Sequence, residues 1–181
     1  MLILASASPR RHELLLAAGI PHIVRSASVL EERHPGEPPA DFVQRIAQEK
    51  ARAVHCNPED IVLGADTIVC LEDLVFGKPV DDGDARRMLR HLSGREHSVY
   101  TGICILRNGS CIVDVARTGV QFAELTDNEI ETYVRTGEPR DKAGAYAIQG
   151  LASRFVSSIA GCYHNVVGLP VSLVYRYLKA L

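Results

Sequence analysis

A lysine on the apolar face of a predicted helix is the first residue of this sequence that needs a chemical explanation. Residues 41–54 predict an amphipathic helix, and at about 100° per residue Lys50 falls about 80° around it from Phe42, inside the apolar stripe. A buried ammonium group is costly unless an anion compensates its charge. Lys50 therefore either reaches the helix edge or a core carboxylate, or faces a polar cleft that holds a negatively charged ligand.

Asp66 is a carboxylate within a segment that otherwise predicts a buried strand. Ile61–Leu71 is rich in β-branched and apolar residues, and Gly64 within it indicates a bulge or the close approach of another backbone. Buried carboxylates are usually paired with a cation. A structural salt bridge to Lys50 and a functional role in a cleft are both open, and the functional role is favoured because such groups gather at clefts.

The start of the first predicted helix has the composition of an anion site. The string Ser6-Ala7-Ser8-Pro9-Arg10-Arg11 provides an N-cap at Ser8 and a proline at the first helical position. Serine hydroxyls, free N–H groups and two arginines meet where the helix dipole is positive. Because arginine forks match phosphate oxygens, the string favours binding of a phosphate.

Two weaker motifs carry charge without identifying a chemistry by themselves. Glu31-Glu32 lies in a proline-rich loop, and Gly77-Lys78-Pro79 is typical of a turn. The histidines, such as His91 and His97, lack metal-ligand spacing. The patterns G-x-x-x-x-G-K-[ST] and G-x-G-x-x-G are missing from the sequence, so a nucleotide site would have to be built differently.

The composition is that of one ordinary globular domain. The 181 residues are 46% hydrophobic and 23% charged. A net charge of -2 and an aromatic content of 6% argue against nucleic-acid and membrane partners. The five cysteines contain no C-x-x-C pair, which predicts buried free thiols in a reducing compartment. The N-terminus predicts no signal peptide and no apolar stretch approaches roughly 20 residues, so we expect a cytoplasmic protein.

The elements that must position these residues follow from periodicity, capping and turn signals. Strands are predicted over 2–5, 22–26, 61–71, 74–76, 96–106, 111–123 and 155–159, and helices over 8–19, 41–54, 82–92, 126–137 and from Pro170 onwards. Asn108-Gly109 predicts a hairpin turn, and Thr126-x-x-Glu129 predicts a capping box. Residues 31–39 are expected to form a mobile loop. The order of elements predicts an α/β or α+β fold with a mixed sheet.

Taken in order, these segments resemble the Maf family of nucleoside triphosphate pyrophosphatases, also called septum formation inhibitor proteins. The resemblance covers nearly the whole chain and rests on the strings at 6–11, 31–32, 49–51, 64–69, 77–79, 92–94, 141–150 and 167–170. It implies a single domain over 1–181 with a two-lobed, elongated mixed β-sheet, flanking helices and a central cleft. The implied fold is similar to that of inosine triphosphate pyrophosphatases, and the implied assembly is a homodimer.

The resemblance also implies a reaction and roles for particular residues. The reaction is hydrolysis between the α- and β-phosphates, which releases pyrophosphate and uses a divalent metal such as Mg²⁺ or Mn²⁺. Asp66 becomes the proton acceptor and, with Glu32, a metal ligand, while Glu31 is a secondary candidate. Whether Asp66 acts as base or only as metal ligand stays open. Substrate-binding roles fall to Ser6, Arg10, Arg11, Lys50, Thr67, Lys78 and Gln149.

The substrate class follows from the subgroup that the chain resembles. Arg10, Thr67 and Gln149 match the group that prefers thymidine and uridine triphosphates, and Ala147 stands where glycine is usual. The amide of Gln149 can read a pyrimidine edge through its paired donor and acceptor. We therefore expect hydrolysis of dTTP, UTP and modified pyrimidine nucleotides. A pyrophosphatase for 7-methyl-GTP or another purine nucleotide, and a nucleotide-binding regulator of cell division, are the alternatives.

Overall fold

The helices and strands are taken from a computed structural model, which describes residues 1–54 and 57–181. The helices are α1 (Pro9–Ala17), α2 (Pro39–Val54), α3 (Asp82–Leu92), α4 (Asp127–Arg135), α5 (Tyr163–Val167) and α6 (Val171–Leu178). The strands are β1 (Leu2–Ala5), β2 (Ile23–Val24), β3 (Ile61–Leu71), β4 (Leu74–Phe76), β5 (Glu96–Arg107), β6 (Ser110–Phe122) and β7 (Val156–Ala160). Short 3-10 turns cover Glu138–Asp141, Ala143–Ala145 and Leu151–Phe155.

The strands form one mixed sheet. Its order is β2-β1-β3-β5-β6-β7, and β4 pairs with β3 outside this path. β1 runs parallel to both β2 and β3, and its register places Ala5 opposite Gly64. β4 runs antiparallel to β3, and β7 runs antiparallel to β6. Parallel and antiparallel pairing within one sheet that is flanked by helices confirms the predicted α/β fold class.

Packing divides the chain into two compact units. The first comprises Met1–Asp66, Thr101–Ala116 and Gly168–Leu181, and the second comprises Thr67–Tyr100 and Arg117–Val167. No helix within the described residues 1–54 and 57–181 is long and apolar enough to cross a membrane.

In the first unit, α2 packs directly against the sheet. Ala47 and Ala51 on the buried face of α2 share a core cluster with Ile3 of β1 and Val62 of β3. Gly64 allows the helix to come close, because a Cβ atom at this position would lie 2.0 Å from the carbonyl oxygen of Ala47. The close backbone approach that Gly64 indicated is therefore confirmed.

In the second unit, α3 and α4 pack beside an aromatic cluster. Tyr133 of α4 makes an edge-to-face contact with Phe155, and Tyr146 makes one with Phe122. The capping box predicted at the start of α4 is confirmed, since Thr126 and Glu129 exchange both of its hydrogen bonds. These contacts fix the 3-10 turns between α4 and β7.

Most predicted elements are confirmed, and the differences have local causes. The bounds of β1, β3, β4 and α3 agree with the prediction residue for residue. α2 begins at Pro39, two residues early, because proline is well suited to the first helical turn. The predicted second strand shrinks to the two residues of β2. α5 and the three 3-10 turns were not predicted, since five residues or fewer carry no periodic signal.

The prediction of buried free thiols is only partly right. Cys70 and Cys104 are buried and free. Cys162 is half-buried and Cys111 is exposed, because Cys111 follows the hairpin turn at Asn108-Gly109. Both turn residues have positive φ, of 49° and 76°, as the predicted hairpin requires. Cys56 lies outside the described residues.

Candidate active site

A buried cluster of charged groups lies in the first unit, around Lys50. The Lys50 Nζ atom donates to Asp66 Oδ1 at 2.7 Å and lies 2.6 Å from Glu31 Oε1. Lys50 is 7% exposed and Asp66 is 5% exposed, so both charges are largely removed from water. Two carboxylates therefore share one ammonium group, which is more than a structural salt bridge needs.

The local sequence explains how Lys50 and Asp66 meet. Gly64 and Asp66 are two residues apart on β3, so their side-chain positions face the same side of the sheet. Because Gly64 has no side chain, α2 lies against that side, as the contact with Ala47 shows. Lys50 follows Ala47 by three residues, on the same face of the helix. The glycine thus places the ammonium group above the carboxylate.

A second polar cluster joins the end of β1 to the first turn of α1. Arg11 donates from Nη1 to Ser6 Oγ at 2.9 Å and from Nε to the carbonyl oxygen of Gly168 at 2.9 Å. The Ser6 hydroxyl also accepts from the backbone N–H of Ser8 at 3.2 Å. Ser6 and Arg11 are 6% and 8% exposed. These contacts hold the Arg11 guanidinium rigidly at the start of α1, with Arg10 half-buried beside it.

The parallel pairing of β1 and β3 brings the two clusters to the carboxyl end of β1. Ala5, the last residue of β1, is opposite Gly64, so Ser6 continues in the direction in which Asp66 lies. The carboxyl ends of parallel strands are where α/β proteins bind their ligands. The residues at the start of α1 and the Asp66 carboxylate therefore lie near one another, and Arg11 and Asp66 interact electrostatically.

The electrostatic environment shifts the pKa values of Asp66 and Arg11. Burial raises the pKa of Asp66 above its ordinary value, and the positive charges of Lys50 and Arg11 only partly oppose this effect. Burial also lowers the pKa of Arg11, against the opposing effect of the Asp66 and Glu31 carboxylates. A carboxylate with a raised pKa binds a proton more readily, which is the property required of a general base.

The loop that carries Glu31 is tied to α2 by one arginine. Arg45 donates from Nε and Nη2 to the two carboxylate oxygens of Glu37, at 2.7 and 2.8 Å, and from Nη2 to the carbonyl oxygen of Glu32 at 2.9 Å. This hydrogen bonding lowers the pKa of Glu37 to about 2. Arg45 therefore fixes the backbone next to Glu31, whose carboxylate contacts Lys50.

The structure brings Glu31, not Glu32, to the buried cluster. Both glutamate side chains are exposed, but the Glu31 carboxylate contacts Lys50, whereas the backbone carbonyl of Glu32 accepts from Arg45. Two adjacent acids in an irregular loop have no periodicity that could have distinguished them. The carbonyl of Gly168 as a partner of Arg11 was also missed, although the string Val167-Gly168-Leu169-Pro170 marked its position.

The remaining predicted substrate residues belong to the second unit. Lys78 and Gln149 are exposed, and Thr67 is half-buried in β3. The backbone N–H of Gly144 donates to the carbonyl oxygen of Gly77 at 3.0 Å, so the segments that carry Lys78 and Gln149 are joined within this unit. The roles of these three residues remain predictions.

The fold and the site together define an α/β protein with an acid, a lysine and an arginine near the carboxyl end of β1, which pairs in parallel with β3. A family model described as Maf-like protein matches residues 1–181. The chain belongs to this family.

The curated relatives agree with that assignment, and the structural neighbours agree with the fold. The chain is 52% identical to the dTTP/UTP pyrophosphatase of Koribacter versatilis, over 98% of this chain and 93% of the relative. It is 55% identical to the dTTP/UTP pyrophosphatase of Anaeromyxobacter dehalogenans, over 98% and 92% of the two chains. The fold is similar to that of the Ham1 protein of Staphylococcus aureus, with a TM-score of 0.54 at 12% identity over 99% of this chain and 98% of that one. A HAM1 protein from Coxiella burnetii has a TM-score of 0.52 at 15% identity, over 99% and 98% of the two chains.

Proposed function

We propose that the protein hydrolyses dTTP and UTP to the nucleoside monophosphate and pyrophosphate. The observation that carries the proposal is the buried Asp66 carboxylate, which accepts from Lys50 at 2.7 Å and interacts electrostatically with Arg11. The names of the relatives, which are about 50% identical over nearly the whole chain, support dTTP and UTP as substrates.

In the proposed reaction a water molecule attacks the α-phosphorus and its proton passes to Asp66. The new bond joins the water oxygen to the α-phosphorus, and the bond from that phosphorus to the bridging oxygen breaks. Pyrophosphate leaves with the electron pair of the broken bond. The raised pKa of Asp66 makes the carboxylate a better proton acceptor than an exposed aspartate. Lys50 and Arg11 stabilise the charge on the phosphate oxygens.

The charges of the cluster around Lys50 explain why binding of a triphosphate needs further cations. Lys50 and Arg11 are balanced by Glu31 and Asp66, so this cluster as a whole is close to neutral. A triphosphate brings about four negative charges, which a neutral cluster does not compensate. Arg10 and Lys78 are the further cationic side chains that we assign to the phosphates, and Ser6 assists as a hydroxyl donor. Thr67 and Gln149 complete the proposed substrate contacts.

We also propose a dependence on a divalent cation such as Mg²⁺ or Mn²⁺. The donor chemistry near Lys50 suits such an ion, because the Glu31 and Asp66 carboxylates lie close together, each in contact with Lys50 Nζ, and hard cations prefer carboxylate oxygens. Magnesium commonly uses one or two carboxylates and takes its other ligands from water and substrate phosphates. Within residues 1–54 and 57–181 no group of three metal-binding side chains occurs. The ion would supply positive charge to the triphosphate, and Glu32 remains an alternative ligand.

A nucleotide panel tests the function directly. Pyrophosphate release from dTTP, UTP, 7-methyl-GTP, ITP and dATP is measured by a phosphate assay with added inorganic pyrophosphatase. We expect the highest kcat/KM with dTTP and UTP, loss of turnover in EDTA and its return with excess Mg²⁺ or Mn²⁺. Faster cleavage of 7-methyl-GTP would contradict the substrate class, and full turnover in EDTA would contradict the metal dependence.

The assembly and location are proposals that rest on the family resemblance. We propose that the protein is a cytoplasmic homodimer. Each subunit would consist of one pyrophosphatase domain over residues 1–181. Light scattering after gel filtration measures the mass, and a value near 19.8 kDa would identify a monomer and contradict the dimer.

A further inference from the structure

A glutamate outside the buried charged cluster holds the loop that carries Gln149. Glu138 begins the 3-10 turn after α4 and uses both oxygens of its carboxylate within the second unit. Oε1 accepts from the Tyr133 hydroxyl at 2.9 Å, and Oε2 accepts from the backbone N–H of Leu151 at 3.0 Å. One carboxylate thus connects α4 to the backbone two residues after Gln149.

The α4 side of this connection is rigid. Tyr133 is fully buried, and its ring packs edge-to-face against Phe155 with centroids 5.3 Å apart. The backbone of Glu138 is fixed as well, because its N–H donates to Thr136 Oγ1 and its carbonyl accepts from Lys142 Nζ. The carboxylate is therefore a fixed point for the segment that it contacts.

Gly150 shows that the loop is fitted to this carboxylate. A Cβ atom at Gly150 would lie 2.3 Å from Glu138 Oε1 and 2.5 Å from Glu138 Cδ. Its φ of -103° is one that residues with side chains also adopt, so the backbone conformation alone does not require glycine. A side chain at position 150 would instead displace the Glu138 carboxylate from its hydrogen bonds with Tyr133 and Leu151.

Gln149 is the residue that this arrangement positions. The N–H of Gly150 donates to the carbonyl oxygen of Ala147 at 3.1 Å and closes a tight turn around Ile148 and Gln149. Ile148 points into the protein and is 9% exposed, whereas Gln149 is exposed. With Ile148 buried on one side and Gly150 and Leu151 held on the other, the amide of Gln149 is presented from a fixed turn.

We propose that Glu138 is a positioning residue for nucleobase selection, which acts by holding the turn that presents the Gln149 amide to the base. This inference rests on the proposed function, because it needs a pyrimidine nucleotide as substrate. A base read by hydrogen bonds is discriminated well only when the reading group is held in place. Without the carboxylate, the turn becomes more mobile, and the Gln149 amide binds an incorrect base nearly as well as the correct one.

The test compares Glu138→Gln with Glu131→Gln, a matched control on α4 whose carboxylate contacts Arg86 instead of the loop. We expect Glu138→Gln to raise KM for dTTP and to lower the ratio of kcat/KM for dTTP over dATP about tenfold, which corresponds to about 1.4 kcal/mol. We expect the control to leave this ratio unchanged. Combining Glu138→Gln with Gln149→Ala should lower the ratio little further than Gln149→Ala alone, because both act through the same amide.

A second measurement does not depend on activity. Amide hydrogen exchange should become faster at Leu151 in Glu138→Gln and stay unchanged in Glu131→Gln. An unchanged exchange rate, or equal losses of kcat/KM on dTTP and dATP, would overturn the positioning role while the proposed function stands. Wild-type protein that hydrolyses no pyrimidine nucleotide would overturn the proposed function and this inference together.

Discussion

Replacing Gly64 with alanine should separate α2 from the sheet and thereby disrupt the site. The added Cβ would lie 2.0 Å from the carbonyl oxygen of Ala47, whereas ordinary contact begins at 3.4 Å, so the backbones must move apart by about 1.4 Å. Lengthening the Lys50–Asp66 contact from 2.7 Å to about 4 Å would weaken its attraction by about 2 kcal/mol at an effective dielectric constant of about 20. Overpacking in cores costs a further 1–3 kcal/mol or so.

Urea unfolding measures this effect. We expect the free energy of unfolding of Gly64→Ala to fall by about 3 kcal/mol or more, with pyrophosphate release from dTTP lost to a similar or greater degree. Gly77→Ala is the stability control, because a Cβ atom there meets nothing within 4 Å. A Gly64→Ala protein within about 0.5 kcal/mol of wild type, or one that is no less stable than the control, would refute the role given to this glycine.

Three further perturbations follow from the same contacts. Lys50→Met leaves Asp66 and Glu31 without their shared cation, so we expect the free energy of unfolding to fall by about 3–5 kcal/mol at neutral pH and by less in acid, where Asp66 is protonated. A fall below about 1 kcal/mol in urea unfolding would contradict the pairing. Because burial raises the pKa of Asp66 and the base must be ionised, kcat/KM should rise with pH through a midpoint above 3.8, the ordinary pKa of an aspartate. A midpoint at or below that value would contradict the role of Asp66 as the base. Glu37→Gln should lower the free energy of unfolding by about 1 kcal/mol above pH 4.5, because the folded-state pKa near 2 means that the fold stabilises only the ionised form of Glu37. The difference from wild type should vanish as the pH falls to about 2. Thermal unfolding across this pH range measures it.

The sequence predicted the elements of this fold well where local signals are strong. β3 and α3 were placed residue for residue, because apolar composition, capping residues and flanking turns agree there. The buried Lys50 was also predictable, since helical periodicity alone puts it on the apolar face of α2. α5 was missed because its five residues fold through tertiary contacts rather than a periodic pattern.

The contacts of the site were less predictable than its residues. The residue types of Lys50 and Asp66 are compatible with a pair, but the close approach of Ala47 to Gly64 is what places their charged atoms 2.7 Å apart. The choice of Glu31 over Glu32 depends on how Arg45 ties the loop to α2, which no local pattern encodes. The contact of the Glu138 carboxylate with the N–H of Leu151 has no local sequence signal either, because the two residues are 13 positions apart.

Pyrophosphate release by Asp66→Asn is the most direct test of the proposed catalytic role. The matched control is Asp41→Asn, which removes an exposed carboxylate in the first turn of α2. We expect Asp66→Asn to fold and to bind dTTP but to lose about a hundredfold or more in kcat, while Asp41→Asn keeps wild-type turnover. A folded Asp66→Asn protein that releases pyrophosphate within tenfold of the wild-type rate would contradict the role of this carboxylate as the proton acceptor.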